Sequence, residues 1–176
     1  MNRTLKELIL AAEFAAIISV LSQMTIPFGL VPLTGQTFAI GLTATFLGRK
    51  LGLISVGVYL LLGLIGLPVF SGMTGGIAVL FGPTGGYLIG FIFLTLIAGL
   101  LMKLFPGNKV MEAVGLVLGT VVCYAFGTAW LCFQAHMSAA AGLAAGVIPY
   151  IPGDLVKIVV AMIVGTALRA ALKKAR

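Results

Sequence analysis

The stretch QTFAIGLTATFLGRKLGLISVGVYLLLGLIGL, residues 36–67, decides the fold of this 176-residue chain. Its only charged residues are the adjacent Arg49 and Lys50, which divide it into two apolar segments, 36–48 and 51–67. The first segment is too short for an ordinary membrane-spanning helix of ~20 apolar residues, and the second is slightly short. The topology of the whole chain therefore depends on whether both segments cross.

The composition places the chain in a membrane. Apolar residues make up 61% of it and charged residues only 9%, whereas a soluble domain carries about 25% charged residues. The net charge of +7 does not indicate nucleic-acid binding, because the basic residues are spread in pairs and form no basic stripe. We therefore expect an integral membrane protein.

The apolar segments are long enough to define the helices. They cover residues 5–26, 36–48, 51–67, 81–104, 110–133 and 151–172. The first is interpreted as a retained helix and not as a signal peptide, because Glu13 interrupts it and no clear cleavage site follows. With no convincing internal repeat and no linker, residues 1–176 are interpreted as one membrane domain.

The basic residues decide the number of crossings. Ten of the eleven lie near the chain ends or in two short breaks: Arg3, Lys6, Arg49, Lys50, Lys103, Lys109, Arg169, Lys173, Lys174 and Arg176. If segment 36–48 crosses, all ten fall on one side; if it only dips into the membrane, they divide between both sides. Because Lys and Arg accumulate in cytoplasmic loops, the sequence predicts an all-α protein of six transmembrane helices, the second one short, with both termini cytoplasmic.

The three connections on the opposite side carry no Asp, Glu, Lys or Arg. They span residues 27–35, 68–80 and 134–150 and are rich in Gly, Pro, Ser, Thr and Ala. Water-exposed loops usually carry charge, so these loops are expected to pack over the helices as a lid, with simple short turns as the alternative. On the helices, the pairs Gly86/Gly90 and Gly115/Gly119 have the small-xxx-small spacing that allows close helix packing.

The eleventh basic residue, Lys157, stands three positions after Asp154 near the start of the last segment. Residues at i and i+3 share a helix face, and Pro152 suits a helix start. An ionisable pair inside a membrane segment is costly and indicates a functional site. The alternative is a self-neutralising structural pair with Lys157 reaching the interface.

Three further features are candidates for binding. A glycine-rich stretch, residues 66–76, continues into 82–87 and contributes Thr74 and Tyr87; it lacks the Gly-Lys-Ser/Thr of a phosphate-binding loop. Gln36 opens the short second helix, where helix capping explains it equally well. The first helix carries two overlapping Ala-xxx-Ala pairs, which fit either internal packing or docking to another membrane subunit: Ala11, Ala12, Ala15 and Ala16.

No enzyme chemistry is expected. His136 has no second His and no carboxylate near it in sequence, so neither a metal site nor a catalytic triad is expected. The chain also lacks an ATP-binding loop and a relay of acidic residues through its spans. It is therefore expected to bind a solute but to depend on a partner that hydrolyses ATP for uptake.

Three motifs in order resemble a known family. Residues 63–70 (GLIGLPVF), 82–87 (GPTGGY) and 151–157 (IPGDLVK) are similar to the signature of BioY, the biotin-specific substrate-binding subunit of energy-coupling-factor (ECF) transporters. The resemblance covers essentially the whole chain. It implies a prokaryotic plasma-membrane protein with a biotin pocket under the outer loops, a membrane coupling subunit and two cytoplasmic ATPases as partners. It also implies docking through Ala11 and Ala15, or through Ala12 and Ala16.

The resemblance also implies roles in biotin binding. Asp154 would accept from the ureido N–H groups and Lys157 would donate to the ureido carbonyl. Thr74 and Gln36 would add hydrogen bonds, and Tyr87 an apolar face and a hydroxyl. Leu88 stands where some relatives carry a basic residue, so backbone N–H groups near Gly75 and Gly76, or an exposed carboxylate, are the alternatives for the acid group. A subunit for another vitamin and a non-transporting membrane scaffold are the competing hypotheses.

Overall fold

The structure is a computed structural model and describes residues 3–174. Arg176, one of the basic residues that predict the topology, lies outside this range. The described chain is almost entirely helical, which confirms the predicted all-α class. Its helices are α1 (Arg3–Ser22), α2 (Gln36–Leu64), α3 (Ile77–Leu80), α4 (Gly85–Leu104), α5 (Lys109–Ala135), α6 (Ala139–Gly146) and α7 (Ile151–Lys174).

Helix α2 is a hairpin of two antiparallel halves. Its backbone leaves the helical region at Gly48, with φ 72° and ψ −168°, a conformation that favours glycine. The Gln36 side-chain amide donates to the Tyr59 hydroxyl at 2.6 Å, although 23 residues of straight helix would separate the two by ~35 Å. The short segment before Gly48 therefore packs antiparallel against the segment after it.

The bundle has two chemically different ends. At the basic end lie the α2 turn, the α4–α5 connection and both ends of the described chain, because Phe14 of α1 stacks on Phe46 and Arg169 of α7 pairs with Glu112 of α5. At the opposite end, here called the loop end, lie the three uncharged connections. Both ends of the described chain therefore lie at the same end of the bundle as the α2 turn.

Glycine allows α4 and α5 to pack with their backbones close together. A Cβ on Gly86 would lie 2.3 Å from Trp130, and one on Gly90 would lie 2.9 Å from the Cα of Cys123. One on Gly119 would meet the Leu94 carbonyl oxygen at 2.9 Å. The predicted role of the small-xxx-small pairs in internal packing is confirmed.

The connections at the loop end are more structured than the sequence predicts. The predicted first span continues to residue 26, but α1 ends at Ser22. Thr25–Ile26 then pairs antiparallel with Leu33–Thr34 as strands β1 and β2. The third connection contains α6, started by the Ser138 hydroxyl, which accepts from the Ala141 N–H at 3.3 Å, and stabilised by a run of Ala. A 3-10 turn, Ile148–Tyr150, joins α6 to α7.

Several helices are suited to a bilayer. Within residues 3–174, four helical stretches are long and apolar enough to cross a membrane: 36–64, 85–104, 109–135 and 139–171. The first of these stretches contains both halves of the α2 hairpin. Helix α1 has 20 residues, but its first half carries several charges.

Candidate functional site

A cavity opens at the loop end between the hairpin connection before α2, the loop after α2, and helices α4, α5 and α7. The space open to the centres of water molecules in it is about 60 Å³, several times the ~10–15 Å³ that one water needs. Its wall is mostly apolar, with aromatic rings from Phe70, Phe91 and Tyr87, and a few polar groups converge on it. This combination is typical of a small-molecule site.

Asp154 is the central polar group of the cavity. It lies in the first turn of α7 and is 5% exposed. Its carboxylate accepts three hydrogen bonds, each from a different residue. Its Oδ1 accepts from the Thr37 hydroxyl at 2.8 Å and from Lys157 Nζ at 2.8 Å. Its Oδ2 accepts from the Tyr124 hydroxyl at 2.5 Å. A carboxylate has about four acceptor positions, so one on Oδ2 is left for a ligand.

Lys157 neutralises this carboxylate and ties α7 to the start of α2. Its Nζ donates to the Thr34 carbonyl at 2.8 Å, to the Thr37 hydroxyl at 3.1 Å and to Asp154 Oδ1 at 2.8 Å. These contacts use all three donors of the ammonium group. A ligand acceptor therefore has to replace one of them. Among the described residues that line the cavity, Lys157 is the only Lys or Arg.

The structure brings Gln36 and Tyr87 into the same wall as this pair. The Gln36 amide is held at both ends, because its Oε1 accepts from the Thr34 hydroxyl at 2.9 Å and its Nε2 donates to Tyr59. The Tyr87 hydroxyl donates to the Gly146 carbonyl at 3.0 Å. Both side chains are therefore preorganised. Leu88, which follows Tyr87, is buried and gives the wall an apolar surface.

Thr74 and Gly75 lie outside the cavity lining. The Thr74 hydroxyl is exposed and donates to the Ser71 carbonyl at 2.9 Å. A Cβ on Gly75 would lie 2.2 Å from the Leu67 carbonyl oxygen, so this glycine closes the loop on itself. The residues of this loop that reach the cavity are Phe70 and Ser71.

Side chains at the end of α1 and directly after it hold the loop over the cavity. The Gln23 amide donates to the Phe70 carbonyl at 3.1 Å and accepts from the Met73 N–H at 2.9 Å. The Ser22 hydroxyl donates to the Val69 carbonyl. On the other side, the Tyr150 hydroxyl donates to the carbonyls of Phe28 and Val31. These hydrogen bonds attach the two loops to neighbouring parts of the chain.

The two Ala-xxx-Ala pairs of α1 lie on different faces. Ala11 and Ala15 are buried inside the chain. Ala12 and Ala16 are exposed, on a face that also presents Val20. Of the two pairs, only Ala12 and Ala16 are free to meet another membrane subunit.

Sequence reasoning missed three hydroxyl groups of the site. Thr37 and Tyr124 bind Asp154 directly, and Tyr150 fixes the connection before α2. Tyr124 did carry a signal, because it is a polar aromatic residue within the apolar segment 110–133. Thr37 gives none, since its partner lies 117 positions away.

The chain is similar to known proteins over nearly its full length. A sequence model described as the BioY family matches residues 1–174. The biotin transporter BioY2 of Lactococcus lactis subsp. cremoris is 39% identical over 171 residues, covering 97% of this chain and 94% of that protein. The biotin transporter BioY of Thermotoga maritima is 41% identical over 165 residues, covering 94% and 96%.

A solved structure has the same fold. The crystal structure of the S-component for biotin from an ECF-type ABC transporter superposes with a TM-score of 0.89 at 33% identity, covering 97% of this chain and 95% of that one. The resemblance found in the three sequence motifs is thus confirmed across the whole chain. The protein belongs to the BioY family.

Proposed function

We propose that this chain is the substrate-specificity subunit of an ECF transporter and binds biotin for uptake into the cell. The relatives described above are named as biotin transporters, and the similar solved structure is an S-component for biotin. The observation that carries the proposal is the buried Asp154–Lys157 pair, which lies in a cavity and keeps one acceptor position free.

The chemistry of biotin matches this pair. Its ureido ring has two N–H donors and one carbonyl acceptor, and its fused rings are otherwise apolar. Asp154 Oδ2 accepts one ureido N–H, and Lys157 exchanges its bond to the Thr34 carbonyl or the Thr37 hydroxyl for the ureido carbonyl. Because the pair is neutral, a neutral ring binds without leaving a buried charge uncompensated.

The rest of the proposed site follows from the cavity wall. Gln36 adds a polar edge, and the Tyr87 ring covers an apolar face of the ligand. Thr74 and Gly75 are not part of the site as now proposed, because neither lines the cavity. Since Leu88 carries no charge, the hydroxyls of Ser71 and Thr84, which do line the cavity, are assigned to the biotin carboxylate.

The proposed topology has six crossings: α1, the two halves of α2, α4, α5 and α7. The antiparallel halves of α2 support it, because they return the chain to the loop end before α4 begins. Placing the basic end in the cytoplasm satisfies the excess of Lys and Arg expected there. Both termini are then cytoplasmic, in the plasma membrane of a prokaryote, and the cavity opens outward.

The proposed partners are a membrane coupling subunit and two cytoplasmic ATPases. Support comes from the lack of an ATP-binding loop in this chain and from the exposed small residues Ala12 and Ala16 on α1. Such residues let two helices approach closely in lipid. A double substitution, Ala12→Leu with Ala16→Leu, is expected to abolish co-purification with the coupling subunit while biotin binding is retained.

Calorimetric titration of the purified protein with biotin tests the function. We expect saturable heat with one biotin per chain, and no competition from other vitamins at equal concentration. Absence of heat in every detergent that preserves the fold would overturn the proposal. Preferential binding of a different vitamin would reassign the substrate.

A further inference from the structure

A second cavity lies at the basic end. There the turn of α2 lies deeper in the bundle than the end of the neighbouring helix α4. A Cβ on Gly99 of α4 would lie 2.6 Å from the Arg49 backbone, so the α2 turn is level with Gly99. Helix α4 continues beyond that level to Leu104. The difference leaves an open crevice of about 770 Å³ beneath the turn.

The rim of this crevice is strongly cationic. Arg49 and Lys50 come from the α2 turn, Lys103 from the last turn of α4, and Arg169 from α7. Arg169 pairs with Glu112, whose Oε1 lies 2.8 Å from the guanidinium. No Asp or Glu is present among the described residues that line the crevice. The site therefore favours an anion.

The wall behind the rim is apolar and holds one unsatisfied hydroxyl. Leu47, Leu53, Leu96 and Met102 line it. Thr45 also lines it and is fully buried, yet its Oγ1 has no hydrogen-bond partner within the described part of the chain. This hydroxyl is inaccessible from the crevice, so the wall presents an apolar surface to a ligand. A ligand that fits has an anionic group and a hydrocarbon part.

We propose that this crevice binds the phosphate head group of an anionic phospholipid, with an acyl chain against the apolar wall. Basic pockets between transmembrane helices are known to bind anionic head groups. An acidic peptide would satisfy the four cations but not the continuous surface of Leu47, Leu53 and Leu96. The proposal does not depend on biotin being the substrate of the other cavity.

Lipid retention tests it. Purified protein is exposed in detergent to equal amounts of dioleoylphosphatidylglycerol and dioleoylphosphatidylcholine, and retained lipid is counted by native mass spectrometry. We expect enrichment of phosphatidylglycerol that falls with added salt. The variant Lys50→Gln with Lys103→Gln should lower that enrichment roughly 25-fold, because each cation near an anionic lipid contributes a factor of about five.

Lys6→Gln is the matched control, because Lys6 is exposed at the same end on α1 and does not line the crevice. It should leave the enrichment unchanged. Both variants should unfold at the same temperature as the wild-type protein, which shows that the fold is kept. When inorganic phosphate replaces chloride at constant ionic strength, it should not displace the lipid, because phosphate cannot use the apolar wall.

Three outcomes would overturn the proposal. One is equal retention of both lipids by the wild-type protein. Another is full displacement by inorganic phosphate, which would make the crevice a free-anion site. The third is an unchanged lipid ratio in the double variant, which would show that the cations of the crevice do not hold the lipid.

Discussion

Two buried carboxylates stand at opposite ends of the bundle and have opposite surroundings. Asp154 at the loop end is 5% exposed, and Glu112 at the basic end is 4% exposed. Glu112 is held by two cations, Lys109 Nζ at 2.9 Å and Arg169 at 2.8 Å. Asp154 has one cation, Lys157, and completes its coordination with the hydroxyls of Thr37 and Tyr124.

The difference separates a structural ion pair from a binding site. Glu112 links the start of α5 to the end of α7. The side chains of its partners Lys109 and Arg169 are 51% and 38% exposed, so solvent screens their charge. Lys157 is 21% exposed and Asp154 lines a cavity. Hydroxyls can re-form their hydrogen bonds around a ligand, whereas each oxygen of Glu112 is bound by a cation.

Asp154→Asn is the largest expected perturbation. The amide can no longer accept at both oxygens and leaves Lys157 uncompensated, so biotin affinity should fall by more than tenfold, or ~1.4 kcal/mol. Calorimetry measures it. The double variant Asp154→Asn with Lys157→Gln is the control for charge: it should regain stability and not affinity. Binding within twofold of wild type in Asp154→Asn would reject the role of the carboxylate.

Tyr124→Phe removes a hydroxyl that orients Asp154 and leaves the ring in place. A hydrogen bond to a charged group is worth about 1.5–3 kcal/mol, and only the part that orients the carboxylate for the ligand affects binding. Affinity should therefore fall about 2–10-fold with little change in fold. The same titration measures it, and thermal unfolding gives the control. Unaltered affinity would show that Thr37 and Lys157 alone position the carboxylate.

Gln23→Ala tests the attachment of the loop to α1. The variant loses the hydrogen bonds to Phe70 and Met73, so the loop over the cavity should open more often. Biotin dissociation should accelerate about 2–5-fold, measured by exchange of labelled biotin. Gln134→Ala is the matched control, because its amide bonds the Phe81 carbonyl outside the cavity lining. Equal dissociation rates in both variants would contradict a specific role for Gln23.

Glu112→Gln should have the smallest effect on binding. It lies at the other end of the bundle, so biotin affinity should stay within about twofold, while loss of hydrogen bonds to charged groups lowers stability by roughly 1–3 kcal/mol. Thermal unfolding in detergent and calorimetry measure the two effects. A loss of biotin affinity as large as that of Asp154→Asn would remove the distinction between the two carboxylates.

The helices and the central pair could be predicted from the sequence, because hydrophobic length and isolated charge are local signals. Segment 36–48 is the clearest case: Arg49 and Lys50 predict its separation from 51–67, and the structure shows a turn at Gly48. The pair Asp154 and Lys157 stands out because both residues lie one turn apart in an apolar helix.

The remainder of the site depends on contacts that sequence spacing does not reveal. Thr74 belongs to a glycine-rich stretch suited to ligand binding, yet the loop turns its hydroxyl toward Ser71. Thr37 and Tyr124 meet Asp154 only because α2, α5 and α7 converge at the loop end. Likewise, the choice between the two alanine pairs of α1 needed the packing of α1 on α2, which buries Ala11 and Ala15.

A structure of the protein with biotin bound would test the proposed role of Asp154 and Lys157. We expect the ureido ring in the loop-end cavity, with an N–H within hydrogen-bond distance of Asp154 Oδ2 and the carbonyl within that distance of Lys157 Nζ. Biotin bound elsewhere, for example in the apolar groove between α5, α6 and α7, with the Asp154–Lys157 contacts unchanged, would contradict it.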